Sequence, residues 1–362
     1  TSASSGGTVF MTDSTPIPDN FATRLISWQR QHGRHDLPWQ ATRNPYHVWL
    51  SEIMLQQTQV ATVIAYYLRF LELFPTLPDL AAASQDQVLA AWSGLGYYSR
   101  ARNLHKAAQQ IMNVFGGKFP QDVQQVAELP GIGPSTAAAI CAFSFGQRHA
   151  ILDGNVKRVL CRFFGIDGFP GQKAVENQLW QIARQLAPQQ DIEAYTQAQM
   201  DLGATVCIRG KPQCLICPLQ QDCVARQQGR TTTLPTPRPK KAIPERETVM
   251  LLISDGQRLL LLKRPPTGIW GGMWSFPEVD STLAAENWCL THLGMAAEAL
   301  PPLAEFVHVF THFRLTITPL PMRVAKAPAV NESTCLWLTP AEANAAGIPA
   351  PVRKILASVH GT

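Results

Sequence analysis

The stretch "LPGIGPSTAA", residues 129–138, crowds Pro130, Gly131, Gly133 and Pro134 together just ahead of an alanine-rich run. Gly131 and Gly133 permit a tight turn between a helix over "VQQVAEL" and a helix over "STAAAICAF". Pro134 suits the first position of the second helix, where its own N–H would have no partner. The free N–H groups of such a turn, beside a helix N-terminus, form an anion site that can hold a nucleic-acid phosphate without reading sequence. An ordinary interhelical corner is the alternative.

Outward from this turn, residues 20–225 carry apolar residues at helical spacing: "FATRLISWQRQ", "PYHVWLSEIMLQQTQVATVIAYYLRFLELF", "LHKAAQQIMNVFG" and "AVENQLWQIARQLA". Strand patterns are missing there. Residues 228–244, "QGRTTTLPTPRPKKAIP", suit an extended connection. Beyond it come "VMLLIS", the turn "DGQ", "RLLLLKR" and "EFVHVFTHFRLTITPLPMRV", which read as strands. The expected architecture is therefore a mainly α region over 20–227, a linker over 228–244 and an α+β domain over 245–362. Residues 1–19, most of them ahead of or just after Met11, are left out as an extension.

The chain of 362 residues, 46% apolar, is long enough for two or three domains with real cores, which excludes general disorder. No apolar run approaches a membrane span, and no signal peptide is visible, so a cytoplasmic, non-membrane, monomeric protein is expected. The net charge of +5 permits a polyanionic partner without demanding one. Arg209, Lys211, Arg226, Arg230, Arg238, Lys240 and Lys241 stand against a single acid, Asp222. They read either as a solvated basic face or as a phosphate track.

In "ILDGNVKRVL", Asp153 and Asn155 fall at the start of another helix, where an aspartate alone reads as an N-cap. Paired with the hairpin "LPGIGPSTAAAI", however, "LDGN" resembles the helix-hairpin-helix DNA glycosylases across residues 20–225. The resemblance makes Gly131 and Gly133 DNA-binding and Asp153 the essential aspartate.

Cys207, Cys214, Cys217 and Cys223 follow C-x6-C-x2-C-x5-C. In a reducing compartment this implies a metal, and spacing alone leaves structural zinc and a [4Fe–4S] cluster open. The resemblance decides for iron–sulfur, because the spacing, with Arg209 and Lys211 in its first loop, is similar to the cluster loop of the endonuclease III and MutY branches. Cys141, Cys161, Cys289 and Cys335 read as small apolar residues.

Relatives that cut the strand carry a lysine directly after the hairpin, for a Schiff base. This chain has Ser135, which implies a monofunctional glycosylase and leaves Ser135 a secondary role. "SEIMLQQTQV" resembles the MutY segment supplying the general acid, here Glu52. Glu52 shares a face with Val48, Trp49 and Leu55, and cover on that face would raise its pKa. By the resemblance, Glu52 protonates adenine N7, while Asp153, ionised, stabilises or traps the oxocarbenium sugar with Asn155 orienting both. Leu37, Trp39, Gln197 and Met200 look like the adenine-pocket lining. Gln57 and Tyr97 resemble residues that enter the duplex, a tyrosine filling the gap left by the flipped base.

Residues 245–362 resemble the MutT-like, Nudix-fold domain of MutY-type enzymes, without the carboxylate-rich helix that holds magnesium. The family reads 8-oxoguanine through a Phe-Ser-His loop, matched by Phe310, Thr311 and His312. The implied activity is excision of adenine opposite 8-oxoguanine or guanine in duplex DNA. An endonuclease III-like lyase, a non-catalytic redox-reporting lesion sensor and a nucleotide hydrolase are the rivals.

Overall fold

A computed structural model describes residues 18–239, 243–325 and 334–359. The first part is helical: α1 Phe21–His32, α2 Pro45–Leu55, α3 Val60–Leu73, α4 Leu77–Ala82, α5 Gln85–Trp92, α6 Ser99–Val114, α7 Val123–Ala127, α8 Pro134–Phe145, α9 Gly154–Phe164, α10 Lys173–Leu186, α11 Ile192–Asp201 and α12 Val224–Gln227. The second part is built from β1 Glu245–Ser254, β2 Leu259–Lys263, β3 Trp274–Ser275, β4 Glu278–Val279, α13 Ala285–Leu293, β5 Ala297–Ala299, β6 Phe306–Val309, β7 Arg314–Val324, β8 Cys335–Leu338, α14 Pro340–Ala345 and α15 Ala350–Val359. Among the described residues, no helix is long and apolar enough to cross a membrane.

The stretch 45–74, helical in its spacing throughout, forms two helices. Gln57 takes φ 57°, a left-handed conformation that ends α2 and restarts the chain as α3. Helical spacing persists across the break, so periodicity alone could not show it.

Compactness divides the chain differently from its linker. Of the described residues, one unit holds 18–48, 121–127 and 133–239; the other holds 49–120, 128–132, 243–325 and 334–359. In the first, α1, α8, α9, α10 and α11 enclose a core that includes Phe21, Leu25, Leu160, Leu179, Tyr195 and Leu202. Because α8 is apolar all round, it is buried on nearly every side, which is why alanines fill it.

In the second unit, α3 to α6 pack through Val63, Phe70, Trp92 and Leu104. The sheet runs in the order β3-β2-β1-β7-β5, with β1 and β7 parallel over ten residues. Pro319 and Pro321 sit inside β7 without breaking it. Their side of the strand needs only acceptors, since Leu303 N–H donates to the Pro319 carbonyl and Leu300 N–H to that of Pro321, both at 2.9 Å. The helices and the sheet of this unit are joined by polar ties. Lys263 Nζ reaches both Asp86 carboxylate oxygens at 2.8 Å, and Arg102 donates to the Gly271 carbonyl at 2.7 Å. Arg353 donates to Ser93 Oγ at 2.7 Å, and Ser93 Oγ in turn donates to the Ile348 carbonyl at 3.0 Å.

Candidate functional site

The hairpin forms as its sequence demands. Gly131 takes φ 79°, and a Cβ there would stand 2.8 Å from the Asn103 Cβ, so glycine is needed for both conformation and space. Gly133 is the N-cap of α8, Pro134 its first residue, and both glycines are exposed. Ser135 Oγ accepts the N–H of Leu152 at 2.9 Å, fastening the segment directly before Asp153.

Asp153 is the N-cap of α9 and accepts the Val156 N–H at 2.8 Å. Capping and catalysis are compatible here, because the cap uses Oδ1. Burial pushes the carboxyl above the usual aspartate range, against the pull of the Val156 and Asn155 N–H groups and of Arg158 and Lys157. Lys157, four residues on, is paired with Glu176.

Arg158 organises the rest of this turn. Its Nη2 donates to Asn155 Oδ1 at 2.8 Å and to the Gly203 carbonyl at 2.7 Å, and its Nε to the Cys207 carbonyl at 2.8 Å. Gly203 lies in a π-helical turn, Leu202–Val206, that follows α11 directly. A Cβ on Gly203 would stand 2.5 Å from the Asn155 Cβ. Arg158 and Gly203 were not singled out from the sequence. An arginine in a basic chain looks like surface, and a lone glycine after a helix looks like a cap.

The expected adenine-pocket residues fall on two connected elements. Leu37 and Trp39, both buried, flank and occupy the 3-10 turn Pro38–Ala41. Arg34 ties this segment to the fully buried Asp201 at 2.8 Å, and Gln197 donates to the same carboxylate oxygen at 2.9 Å. Met200 lies half-buried against the core. The turn bearing Leu37 and Trp39 is thus bound to the helix bearing Gln197 and Met200, and that helix leads into the π turn beside Asn155.

The four cysteines lie half-buried on one loop, with Cys207, Cys217 and Cys223 packed on the core. Arg162, buried beneath it, donates to Cys207 Sγ at 3.3 Å and to the carbonyls of Ile208 at 2.7 Å and Leu234 at 2.8 Å. Burial pushes the Cys217 thiol up to about 12 and raises Cys223 as well; the neighbouring thiols add to both. The Leu219 N–H faces Cys217, and those of Arg226 and Ala225 face Cys223. Among the described residues, no three His, Cys, Asp or Glu side chains are placed to hold a single metal ion. Cys141, Cys161 and Cys289 are buried and Cys335 is half-buried.

Of the basic run, Arg209, Lys211, Arg226 and Arg238 are exposed, Arg230 is paired with Asp167, and Asp222 pairs instead with Arg24. Lys240 and Lys241 lie outside the described residues.

The remaining residues belong to the second unit. Glu52 is half-buried on α2, next to the buried Trp49 and Ile53. Gln57 is exposed, and Tyr97 is exposed with φ 49°, while its neighbour Tyr98 is buried. A left-handed conformation at a side-chain-bearing residue costs about 1–3 kcal/mol and marks a built-in constraint.

Phe310, Thr311 and His312 form the tip of the β6–β7 hairpin rather than the strand that their alternation suggests. Thr311 and His312 are exposed; Phe310 stacks on Phe313 at 4.3 Å between centroids and lies against Trp270 at 5.4 Å. On α13 the only acid is Glu286.

Comparison with known proteins places these features. The family described as HhH-GPD superfamily base excision DNA repair protein matches residues 50–185, and a NUDIX domain matches residues 248–358. The chain is 37% identical to the adenine DNA glycosylase of Buchnera aphidicola from Acyrthosiphon pisum, over 93% of this chain and 96% of that one. It is 34% identical to the adenine DNA glycosylase of Homo sapiens, over 94% of this chain and 74% of that one. Among solved structures, a thermostable thymine-DNA glycosylase covers 57% of this chain and 95% of its own at TM-score 0.52 and 27% identity. A non-covalent endonuclease III–DNA complex shares the fold of the same portion, at TM-score 0.50 and 21% identity.

Two outcomes follow from this geometry. Because Asp153 has a raised folded-state pKa, the folded protein holds its proton more tightly than the unfolded chain, so ionising it costs stability as pH rises. Asp153→Asn, which keeps the cap, is therefore expected to melt at higher temperature than the parent at neutral pH, an advantage that vanishes below the ordinary aspartate range; melting curves across pH check this. Gly203→Ala should cost about 1–3 kcal/mol by forcing the π turn away from Asn155. Denaturant titration reads that loss, and glycosylase turnover should fall further than stability alone accounts for.

Proposed function

From the premise that the chain belongs to the adenine DNA glycosylase family, we propose that it removes adenine from duplex DNA as a monofunctional glycosylase, with 8-oxoguanine or guanine opposite. The observation that carries this reading is the Asp153 turn: a half-buried carboxylate on a helix N-terminus, with Asn155 locked beside it by Arg158.

Adenine leaves poorly, so protonation at N7 must precede or accompany loss of the base. Glu52 is the donor in this reading, and its half-buried place next to apolar side chains suits a carboxyl that gives up a proton. Asp153 faces the sugar, where its ionised form stabilises the developing positive charge. The N–H groups of Val156 and Asn155 and the nearby Arg158 favour that ionised form and offset part of the cost of burial, which remains the larger effect. Leu37, Trp39, Gln197 and Met200 receive the extruded base.

No amine is offered for strand cleavage at the position after the hairpin. Ser135 spends its hydroxyl on the Leu152 N–H, and Lys157 is held by Glu176. Ser135 thus acts on the position of Asp153 rather than on the substrate.

The four cysteines fit a [4Fe–4S] cluster. They are soft thiol donors on one loop, three with main-chain or arginine N–H groups facing their sulfurs, as iron–sulfur ligation favours. Their spacing alone would also suit structural zinc, and the resemblance to the endonuclease III and MutY branches is what favours the cluster. Bound there, the cluster supplies cross-links that hold Arg209 and Lys211 in a fixed loop for the DNA backbone. The hairpin's Gly131 and Gly133 offer their main chain to a phosphate in the same way.

Reading of the opposite base falls to Phe310, Thr311 and His312 at the exposed hairpin tip. Thr311 keeps a hydroxyl where the family pattern has serine.

The test is single-turnover reaction on duplexes with one adenine opposite 8-oxoguanine, guanine or thymine, scored with and without hot alkali. Alkali-dependent breaks confined to the first two are expected. Breaks without alkali would make the protein a lyase, and none at all would overturn the reading. Arg162→Ala should lose visible absorbance near 400 nm on purification, since it frees the Cys207 segment; a colourless parent protein would overturn the cluster assignment.

A further inference from the structure

Two side chains assigned above to the duplex, Gln57 and Tyr97, lie on separate loops and both adopt left-handed backbone conformations. Gln57 ends α2, and Tyr97 stands just ahead of α6. They line one cleft of about 220 Å³ together with Gln56, Arg100 and the hairpin residues Pro130 and Gly131. A left-handed residue turns its neighbouring carbonyls out of the helical pattern, and buried carbonyls need donors.

One side chain supplies them to both loops. Arg100, buried in the first turn of α6, donates through Nη1 to the carbonyls of Ile53 and Met54 at 2.9 Å and of Gln56 at 2.7 Å. Through Nη2 it donates to Thr58 Oγ1 at 3.2 Å and to the carbonyls of Leu95 at 3.3 Å and Gly96 at 3.1 Å. The contacts to Gln56 and Thr58 bracket Gln57, and the contact to Gly96 reaches the residue directly before Tyr97. The guanidinium also lies 5.3 Å from the Trp92 ring centre and 5.5 Å from that of Tyr97. Among the described residues, no carboxylate pairs with it. An ion pair elsewhere in the chain fixes charge to charge; this cation is instead spent on main-chain acceptors.

We infer that Arg100 is a positioning residue that sets the Gln57 and Tyr97 loops, as a pair, in the conformation that opens the duplex. The inference rests on the reading of those two side chains given above. Arg100 itself touches neither adenine nor sugar, so its loss acts on extrusion of the base and not on breaking the glycosidic bond. Lysine cannot replace it, because three donors on one nitrogen cannot span two loops as a planar fork does.

The experiment uses the full, cluster-loaded protein and the variant Arg100→Lys. Adenine removal is measured in single turnover on a fully paired duplex and on the same duplex with mismatched pairs flanking the target, where the adenine is already unstacked. Fluorescence of 2-aminopurine at the target position reports extrusion separately. The variant should lose about 10- to 100-fold on the paired duplex and under about threefold on the mismatched one, with a weaker rise in 2-aminopurine fluorescence and unchanged circular dichroism and visible absorbance. Equal losses on both duplexes, or no loss on either, would overturn the inference. If Arg100→Lys does not fold, Thr58→Val removes one acceptor at constant shape. It should reproduce the same split at about two- to threefold, and an equal effect on both duplexes overturns the inference again. A parent protein that raises 2-aminopurine fluorescence yet removes no adenine would sink the proposed function while leaving the clamp testable through fluorescence alone.

Discussion

The guanidinium of Arg158 is the tie on which the first unit's site depends. It joins two stretches far apart in sequence: the Asn155 side chain on its own helix α9, and the π turn with the residue after it, through the carbonyls of Gly203 and Cys207. Without it, Asn155 would lose the donor that fixes its side chain, the π turn would lose a partner for the Gly203 carbonyl, and the first cysteine would be tied to α9 through Arg162 alone. A carboxyl can be kept beside a reacting sugar only if the groups around it do not relax when it ionises. The side chain that fixes those groups therefore matters as much as the carboxyl.

Much of this was legible in the sequence, for identifiable reasons. The hairpin could be read because glycine and proline constrain the backbone by their own covalent structure, with no need of context. Asp153 was legible as a cap, and the catalytic reading added to the cap without displacing it. The four cysteines were legible because their spacing is local. By contrast, the break at Gln57 was invisible: apolar residues continue on either side, and no glycine or proline marks the left-handed residue. Gly203 carried no signal either, since its role comes from Asn155, which is far from it in sequence and close in space. The parallel pairing of β1 with β7 was equally hidden, because alternation shows which face a strand buries but not which strand lies next to it.

The compact units cross the boundary that composition suggested. The proline-rich stretch does separate helices from sheet along the chain. Yet α3 to α6 group with the sheet, through Lys263 with Asp86, Arg102 with the Gly271 carbonyl and Arg353 with Ser93. Such ties depend on pairs of polar residues far apart in sequence, each of which, alone, reads as solvated surface. Trp270 is half of a related arrangement: it holds a left-handed conformation, lies against Phe310 at the hairpin tip, and precedes the Gly271 carbonyl that Arg102 holds. The tip proposed to read a lesion and the helix that follows Tyr97 are therefore parts of one packed body.

Arg100, Arg158 and Arg162 share a pattern that bears on the polyanionic partner. Each is buried, and each spends its donors mainly on main-chain carbonyls. Burying a cation is costly, and burial pulls Arg100 down to about 10 and lowers Arg158. A carboxylate partner would offset that cost more fully and would also cancel the charge. Carbonyl partners satisfy the hydrogen bonds and leave the charge standing, so each clamp stiffens a loop and adds to the positive field at once. In a chain whose net charge is only +5, this is a way to present a positive surface to phosphates without crowding the exterior with lysine and arginine.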